Sequence, residues 1–229
     1  MNLYLILNIL IFGTLLLSFD KKVAFYKYIP FLSIGIIVNM LLFIPWDILF
    51  TKNEVWGFNS TYLIGLYIFN LPIEEWLFFV TVPYSCTFIH YVLKAYFKNP
   101  FKVNITKKIW LIIAFSTLII GLFNFDKIYT FTAFIICAIT IVISLRIDKN
   151  FMNDFLFTYT ISFIPFIVVN SILTGSFTEK PIVWYNNLEN FGVRIGTIPI
   201  EDTIYNITLL IIPTLITHVT YNKYKHKTI

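Results

Sequence analysis

The sequence predicts an all-α integral membrane protein of about seven transmembrane helices, built as two tandem three-helix repeats joined by a linking helix. Three observations predict it. Hydrophobic residues fill 58% of the 229 positions and charged residues only 13%, a balance far from that of soluble proteins. Apolar stretches long enough to span a bilayer fall at 3–19, 28–50, 72–95, 109–125, 128–146, 155–174 and 199–221. A four-residue motif also occurs twice, as Pro72-Ile73-Glu74-Glu75 and Pro199-Ile200-Glu201-Asp202, each copy opening a long apolar run.

The first stretch, 3–19, follows Met1-Asn2-Leu3-Tyr4 without a basic n-region, so a retained helix is expected there, not a cleaved signal. The second, 28–50, reaches the polar Asp47, and Trp56 follows it. Residues 60–71 are apolar but too short to span. They are expected as a re-entrant or interfacial piece covering a site, or as a loop lying on the headgroups. The third stretch starts at the first motif and closes on Tyr/Lys-rich sequence; 109–125 then reverses the chain. The second unit repeats the plan. Its middle stretch ends near Asn170, and Trp184 precedes Glu201 by 17 residues where Trp56 precedes Glu74 by 18. The expected units are 1–105 and 127–229, with 106–126 as the link. Repeats of this kind place a site where the halves meet.

Charge sets the orientation. With alternate loops on opposite sides, 13 of the 17 basic residues collect on one side, leaving Lys52, Lys127, Lys180 and Arg194 on the other. That predicts an outer N-terminus and a cytoplasmic C-terminus, in what is expected to be a bacterial cytoplasmic membrane. The net charge of +5 is therefore a topology signal, and no nucleic-acid partner is expected. Both acidic motifs then lie at the outer face. Cys86 and Cys137 fall inside expected helices as small fillers, and no metal-ligand spacing links the three histidines; His90 and His218 are expected at helix ends. Asn39 and Asn170 are expected to hold helices together. No Rossmann glycine pattern indicates a nucleotide cofactor.

An acidic pair at the mouth of a membrane helix is costly, which makes it a candidate site. In the first helical turn it meets unpaired backbone N–H groups and the positive dipole end. Two carboxyl groups brought together in a poorly solvated place cannot both stay ionised, so one acts as acid and the other as base without a cofactor. Glu74 and Glu201 are expected as that primary pair, with Glu75 and Asp202 supporting. Helical spacing puts Phe78 on the face of Glu74 and Tyr205 on that of Glu201. Arg194 is expected to hold one carboxylate ionised. Trp56, Phe58, Trp184 and Tyr185 add aromatic faces that stabilise a cation where water is excluded.

These residues carry a resemblance. The stretches Trp46-Asp47, Val55-Trp56-Gly57-Phe58-Asn59, Leu71-Pro72-Ile73-Glu74-Glu75-Trp76-Leu77-Phe78-Phe79 and Pro83-Tyr84 resemble the first unit of the heterodimer-type lycopene cyclases. Pro181-Ile182-Val183-Trp184-Tyr185, Gly192-Val193-Arg194 and Ile198-Pro199-Ile200-Glu201-Asp202-Thr203-Ile204-Tyr205 are similar to the second, so the chain looks like a fused form. It departs at His90-Tyr91, where that family leads one to expect an acidic residue. The resemblance implies a cofactor-independent lycopene β-cyclase, an isomerase of the intramolecular lyase class. Its substrate would be lycopene or a related linear carotenoid met inside the lipid bilayer. The alternative from another class is a small membrane transporter with internal repeats, which would line a through-path with polar groups. Nothing in the sequence fixes an oligomeric state.

Overall fold

A computed structural model describes residues 2–227. Seven α-helices dominate it: α1 (Leu3–Phe12), α2 (Ile29–Lys52), α3 (Ile73–Tyr96), α4 (Val103–Phe123), α5 (Ile128–Ile147), α6 (Lys149–Leu173) and α7 (Ile200–Lys227). Six of them, α2 to α7, are long and apolar enough to cross a membrane. The expected first span is shorter as an α-helix, because a 3-10 segment, Gly13–Phe19, replaces its second half. Thr14 and Ser85 hydroxyls both donate to the Ile11 carbonyl, at 3.2 and 2.8 Å. That carbonyl would otherwise serve the next α-helical turn, and such side-chain competition loosens a helix.

Two other boundaries move for local reasons. α6 begins six residues earlier than hydropathy indicates, because Asp148 caps it. The carboxylate accepts from the N–H groups of Asn150 and Phe151, at 2.8 and 3.0 Å, satisfying two otherwise free donors. α4 likewise starts at Val103, taking in Lys107 and Lys108. The stretch 60–71 is a 3-10 turn at Ser60–Tyr62 followed by a short hairpin, with exposed apolar side chains from Leu66 to Phe69.

Packing repeats between the halves. α1 lies on α3 as α5 lies on α7, and α2 packs on α7 as α6 packs on α3, while α4 covers α5 and α6. Within the α1–α3 pair, Asn8 donates to the Glu74 carbonyl at 3.1 Å and accepts from Thr81 at 2.8 Å. Polar ties of this kind hold apolar helices in register where burial alone gives no preference over lipid, at roughly 0.6 kcal/mol each. Large side chains fill the bundle interior, among them Phe43, Phe79, Trp110, Phe151 and Phe155. Leu41, Ile112 and Phe115 stand exposed on outer helix faces, as a chain solvated by acyl chains requires.

Three short antiparallel strand pairs sit beyond the helix ends. β1 (Trp56–Phe58) pairs with β4 (Val183–Tyr185). β2 (Tyr67–Ile68) pairs with β3 (Leu71–Pro72), and β5 (Arg194–Ile195) with β6 (Ile198–Pro199). Pro72 and Pro199 thus close a hairpin one residue before each helix, where an N–H is not needed.

The β1–β4 pair exposes the internal symmetry. The motifs lie 127 residues apart, and the hydrogen bonds repeat at that spacing. Asn59 N–H donates to the Ile182 carbonyl at 2.8 Å, and Asn186 N–H to the Val55 carbonyl at 2.9 Å. Ile73 N–H donates to Leu66, and Ile200 N–H to Val193. On this axis Gly57 faces Trp184 directly. The structural counterpart of Trp184 is therefore Gly57, one position from the Trp56 that the sequence spacing aligned with it. A Cβ on Gly57 would collide with the Trp184 indole, so the strands approach this closely only with glycine there.

Candidate active site

The first acid of each motif faces away from any open space. Glu74 is fully buried, and its Oε1 accepts from the Ile64 N–H at 2.6 Å. Glu201, equally buried, accepts from the Phe191 N–H and the Thr130 hydroxyl, both at 2.6 Å. Each receives a backbone N–H from ten residues upstream, so each pins the loop that leads into its own helix.

The second acids turn the other way. Glu75 and Asp202 line a single large cavity of about 1190 Å³ of unfilled space, its mouth included. Asp47 from α2 lines it too, making three carboxyl groups at one end. Tyr4 donates to Glu75 at 2.5 Å, and Trp56 Nε1 donates to Asp47 at 2.6 Å. Asp47 and Glu75 stand as neighbours on this wall, and two carboxyl groups brought together where water is scarce do not both stay ionised. Asp202 instead accepts from two phenols, Tyr129 at 2.6 Å and Tyr185 at 2.9 Å, the bonding pattern of a carboxylate. Burial first, then the Asp202 charge, pushes the Tyr185 phenol well above its ordinary range, so it remains a donor. Among the described residues no group of three or more His, Cys, Asp or Glu is placed to hold a metal ion.

Around the acids stand Trp56, Phe58, Phe78, Tyr185 and Tyr205. Below them the walls along α3 and α6 are mostly apolar, with Ser85 and Ser162 set among Val82, Ile89, Pro165 and Phe166. Proton donor, proton acceptor and aromatic faces thus share one water-poor chamber, an arrangement suited to making a carbocation and then removing a proton from it.

The sequence pattern of the lycopene cyclase family matches residues 1–93 and 126–220. The chain belongs to the lycopene cyclase family. Three fungal relatives are similar over shorter stretches, each a bifunctional lycopene cyclase/phytoene synthase. The Podospora anserina protein is 37% identical over 77 residues, 33% of this chain and 13% of the relative. The Leptosphaeria maculans protein is 31% identical over 72 residues, 31% of this chain and 12% of the relative. The Aspergillus oryzae protein is 22% identical over 91 residues, 40% of this chain and 16% of the relative. This chain therefore matches less than a fifth of those proteins' length. No solved structure matches the chain.

Within this lycopene cyclase fold the two acids of each motif have different placements, and helix geometry explains why. Glu75, Phe78, Val82, Ser85, Cys86 and Ile89 form one continuous stripe of α3 that faces the cavity. Asp202, Tyr205, Asn206 and Leu209 do the same on α7. The cavity aromatics Phe78 and Tyr205 thus share a face with the second acid, three residues before each, and not with the first acid, four residues before. Arg194 makes no ion pair with either carboxylate. Its guanidinium donates to the Thr197 carbonyl at 2.7 Å and to Asn187 at 2.8 Å, and lies 5.8 Å from the centre of the Tyr185 ring, whose hydroxyl bonds Asp202. Trp184 lies outside the cavity and covers Gly57 instead.

Asp47, Tyr4, Tyr129 and Asn170 are the site residues that spacing missed. A buried aspartate inside the apolar 28–50 stretch was the available signal for Asp47. Asn170, expected only between helices, reaches the cavity wall. His90 is not at a helix end: it is fully buried, with its Nδ1 2.7 Å from the Thr158 hydroxyl. His218 meets Asp148 at 3.0 Å. Cys86 lies on the cavity wall and Cys137 in the core, both as free thiols.

Proposed function

We propose that this protein is a lycopene β-cyclase, acting on lycopene or a related linear carotenoid without net redox change. The observation that carries this reading is the placement of Asp47, Glu75 and Asp202 at one end of a mostly apolar, aromatic-walled chamber. The Asp47–Glu75 pair delivers its proton to the terminal double bond of a ψ-end. The tertiary cation that forms is attacked by the next internal alkene, closing a six-membered ring. Asp202 then takes a ring proton, leaving the β-end double bond. One proton enters and one leaves, so substrate and product are isomers, and the class is an intramolecular lyase. Trp56, Phe58, Phe78, Tyr185 and Tyr205 hold the cation by their ring faces and keep water from quenching it.

Glu74 and Glu201 have a positioning role in this reading: each fixes the entry loop that carries its neighbouring acid into place. The two repeats, 1–105 and 127–229, are joined by the linking segment 106–126. The basic excess favours acids at the outer surface, an outer N-terminus and a cytoplasmic C-terminus. The relatives are fungal, which gives no support to a bacterial membrane in particular. A transporter is disfavoured because the carboxyl groups collect at one end and the walls beyond them are mostly apolar, without a further charged group.

Expression in a lycopene-accumulating host with pigment chromatography tests the assignment. Wild-type protein is expected to convert lycopene to β-ring products. Glu75→Gln and Asp202→Asn should each lower conversion by about 10²-fold or more, the usual scale for losing a general acid or base. Glu74→Gln should retain most of it, since an amide oxygen still accepts the Ile64 N–H. Full conversion by both Glu75→Gln and Asp202→Asn would sink the assignment.

A further inference from the structure

We propose that the chamber is a slot for one half of an extended polyene, entered sideways from the bilayer between α1 and α6. The two ends of a substrate are therefore cyclised in separate visits. This rests on the cyclase reading and adds the route and the order of events.

The cavity runs far beyond the acids. Its α3 wall extends from Glu75 to Ile89, 14 residues of helix, or roughly 21 Å at the α-helical rise. α1 and α6 both pack on α3 while their backbones stay apart from one another; near the acids Tyr4, Leu7 and Leu173 belong to one cluster. In the gap between them Leu10 and Pro165 belong to the cavity wall and to the outer surface at once, Leu10 being 68% exposed. A wall residue that is also lipid-facing marks an opening, and here it opens toward acyl chains.

Internal symmetry would provide a second opening, between α5 and α2, and aromatic side chains fill that place. Trp46 and Phe50 of α2 meet edge to face at 5.6 Å between ring centres, and Phe50 meets Trp56 at 4.8 Å. Tyr129 and Phe134 of α5 complete this cluster. Among the described residues the halves thus share an acid chamber whose way in lies on the α1–α6 side. A linear carotenoid with one end at the acids leaves its other end in the bilayer. To bring that second end to the same surface, the molecule must withdraw, reverse end for end and re-enter. The monocyclic product is consequently free in the membrane between two turnovers.

Purified full-length protein in liposomes loaded with lycopene tests both parts. Leu10→Trp at the mouth and Ile89→Trp at the deep end should slow lycopene loss at least tenfold, while Ile112→Trp and Ile139→Trp, on lipid-facing positions of α4 and α5, should match wild type. Thermal unfolding in detergent checks that the slowed variants are folded. Independently of any variant, a tenfold excess of isotope-labelled lycopene is added when the monocyclic product peaks. Release between visits predicts that formation of unlabelled bicyclic product slows in proportion to the dilution. Unlabelled bicyclic product forming at an undiminished rate, or unaltered turnover by both slot variants, overturns the proposal while leaving the cyclase reading intact. Wild-type protein that leaves lycopene unchanged overturns the cyclase reading itself, and the slot with it.

Discussion

Glu74 and Glu75 are neighbours in sequence and serve different ends, because adjacent helical residues point about 100° apart. Glu75 faces the cavity, whereas Glu74 closes a hydrogen bond with the Ile64 N–H. The same split recurs at Asp202 and Glu201. Truncation therefore separates the roles. Glu74→Ala leaves a half-buried N–H without its acceptor and should destabilise the protein by about 1–3 kcal/mol in thermal unfolding. Asp202 offers a second comparison, since two phenols bond it. Tyr129→Phe and Tyr185→Phe should each slow cyclisation with little change in melting temperature, and the double variant should be slower than either, as measured by initial rates in liposomes. The doubled motif was legible from sequence as a candidate site, because carboxyl pairs at apolar helix starts are rare. Which member of each pair faced inward was written in the α3 stripe from Glu75 through Phe78 and Val82 to Ile89. Asp47 was harder to read, since only the fold brings it to the same cavity as Glu75, 28 positions away.

Helix content followed from hydropathy because spanning length and apolarity are strong local signals. Two helix starts, those of α4 and α6, did not. α6 begins where Asp148 caps it, a polar residue that hydropathy counts as loop. Burial alone would raise the Asp148 carboxyl, but the backbone N–H groups of Phe151 and Asn150 and the contact with His218 lower it overall. A lowered carboxyl contributes stability above its unfolded value, near 4, and loses it as pH falls through the folded one. Asp148→Asn should accordingly flatten the acid limb of stability below about pH 4, measured as melting temperature against pH. At the two equivalent hairpins the backbone differs in strain. Phe69 holds a φ of 55° where its counterpart Gly196 holds 62°. A side chain in that left-handed region costs about 1–2 kcal/mol. Phe69→Gly should raise the melting temperature without altering pigment conversion, as Phe69 is largely exposed and outside the cavity.

At the scale of the molecule, the halves hold each other through α2 on α7, α6 on α3 and the β1–β4 pair. The link between α3 and α4 carries none of these contacts. A chain cut between Phe97 and Lys102 should regain activity when both fragments are made together, and show none with either alone; co-purification and pigment analysis would check this. The strand pair also holds a feature that spacing misread. Trp56 and Trp184 looked equivalent, yet the axis runs through Gly57 and Trp184. At any true twofold, the residue on the axis must meet itself. Two tryptophans there would clash, and two glycines would leave a hollow. Neither half can thus mate with its own copy as it mates with its sister, and the pair is bound to remain a couple of unlike partners.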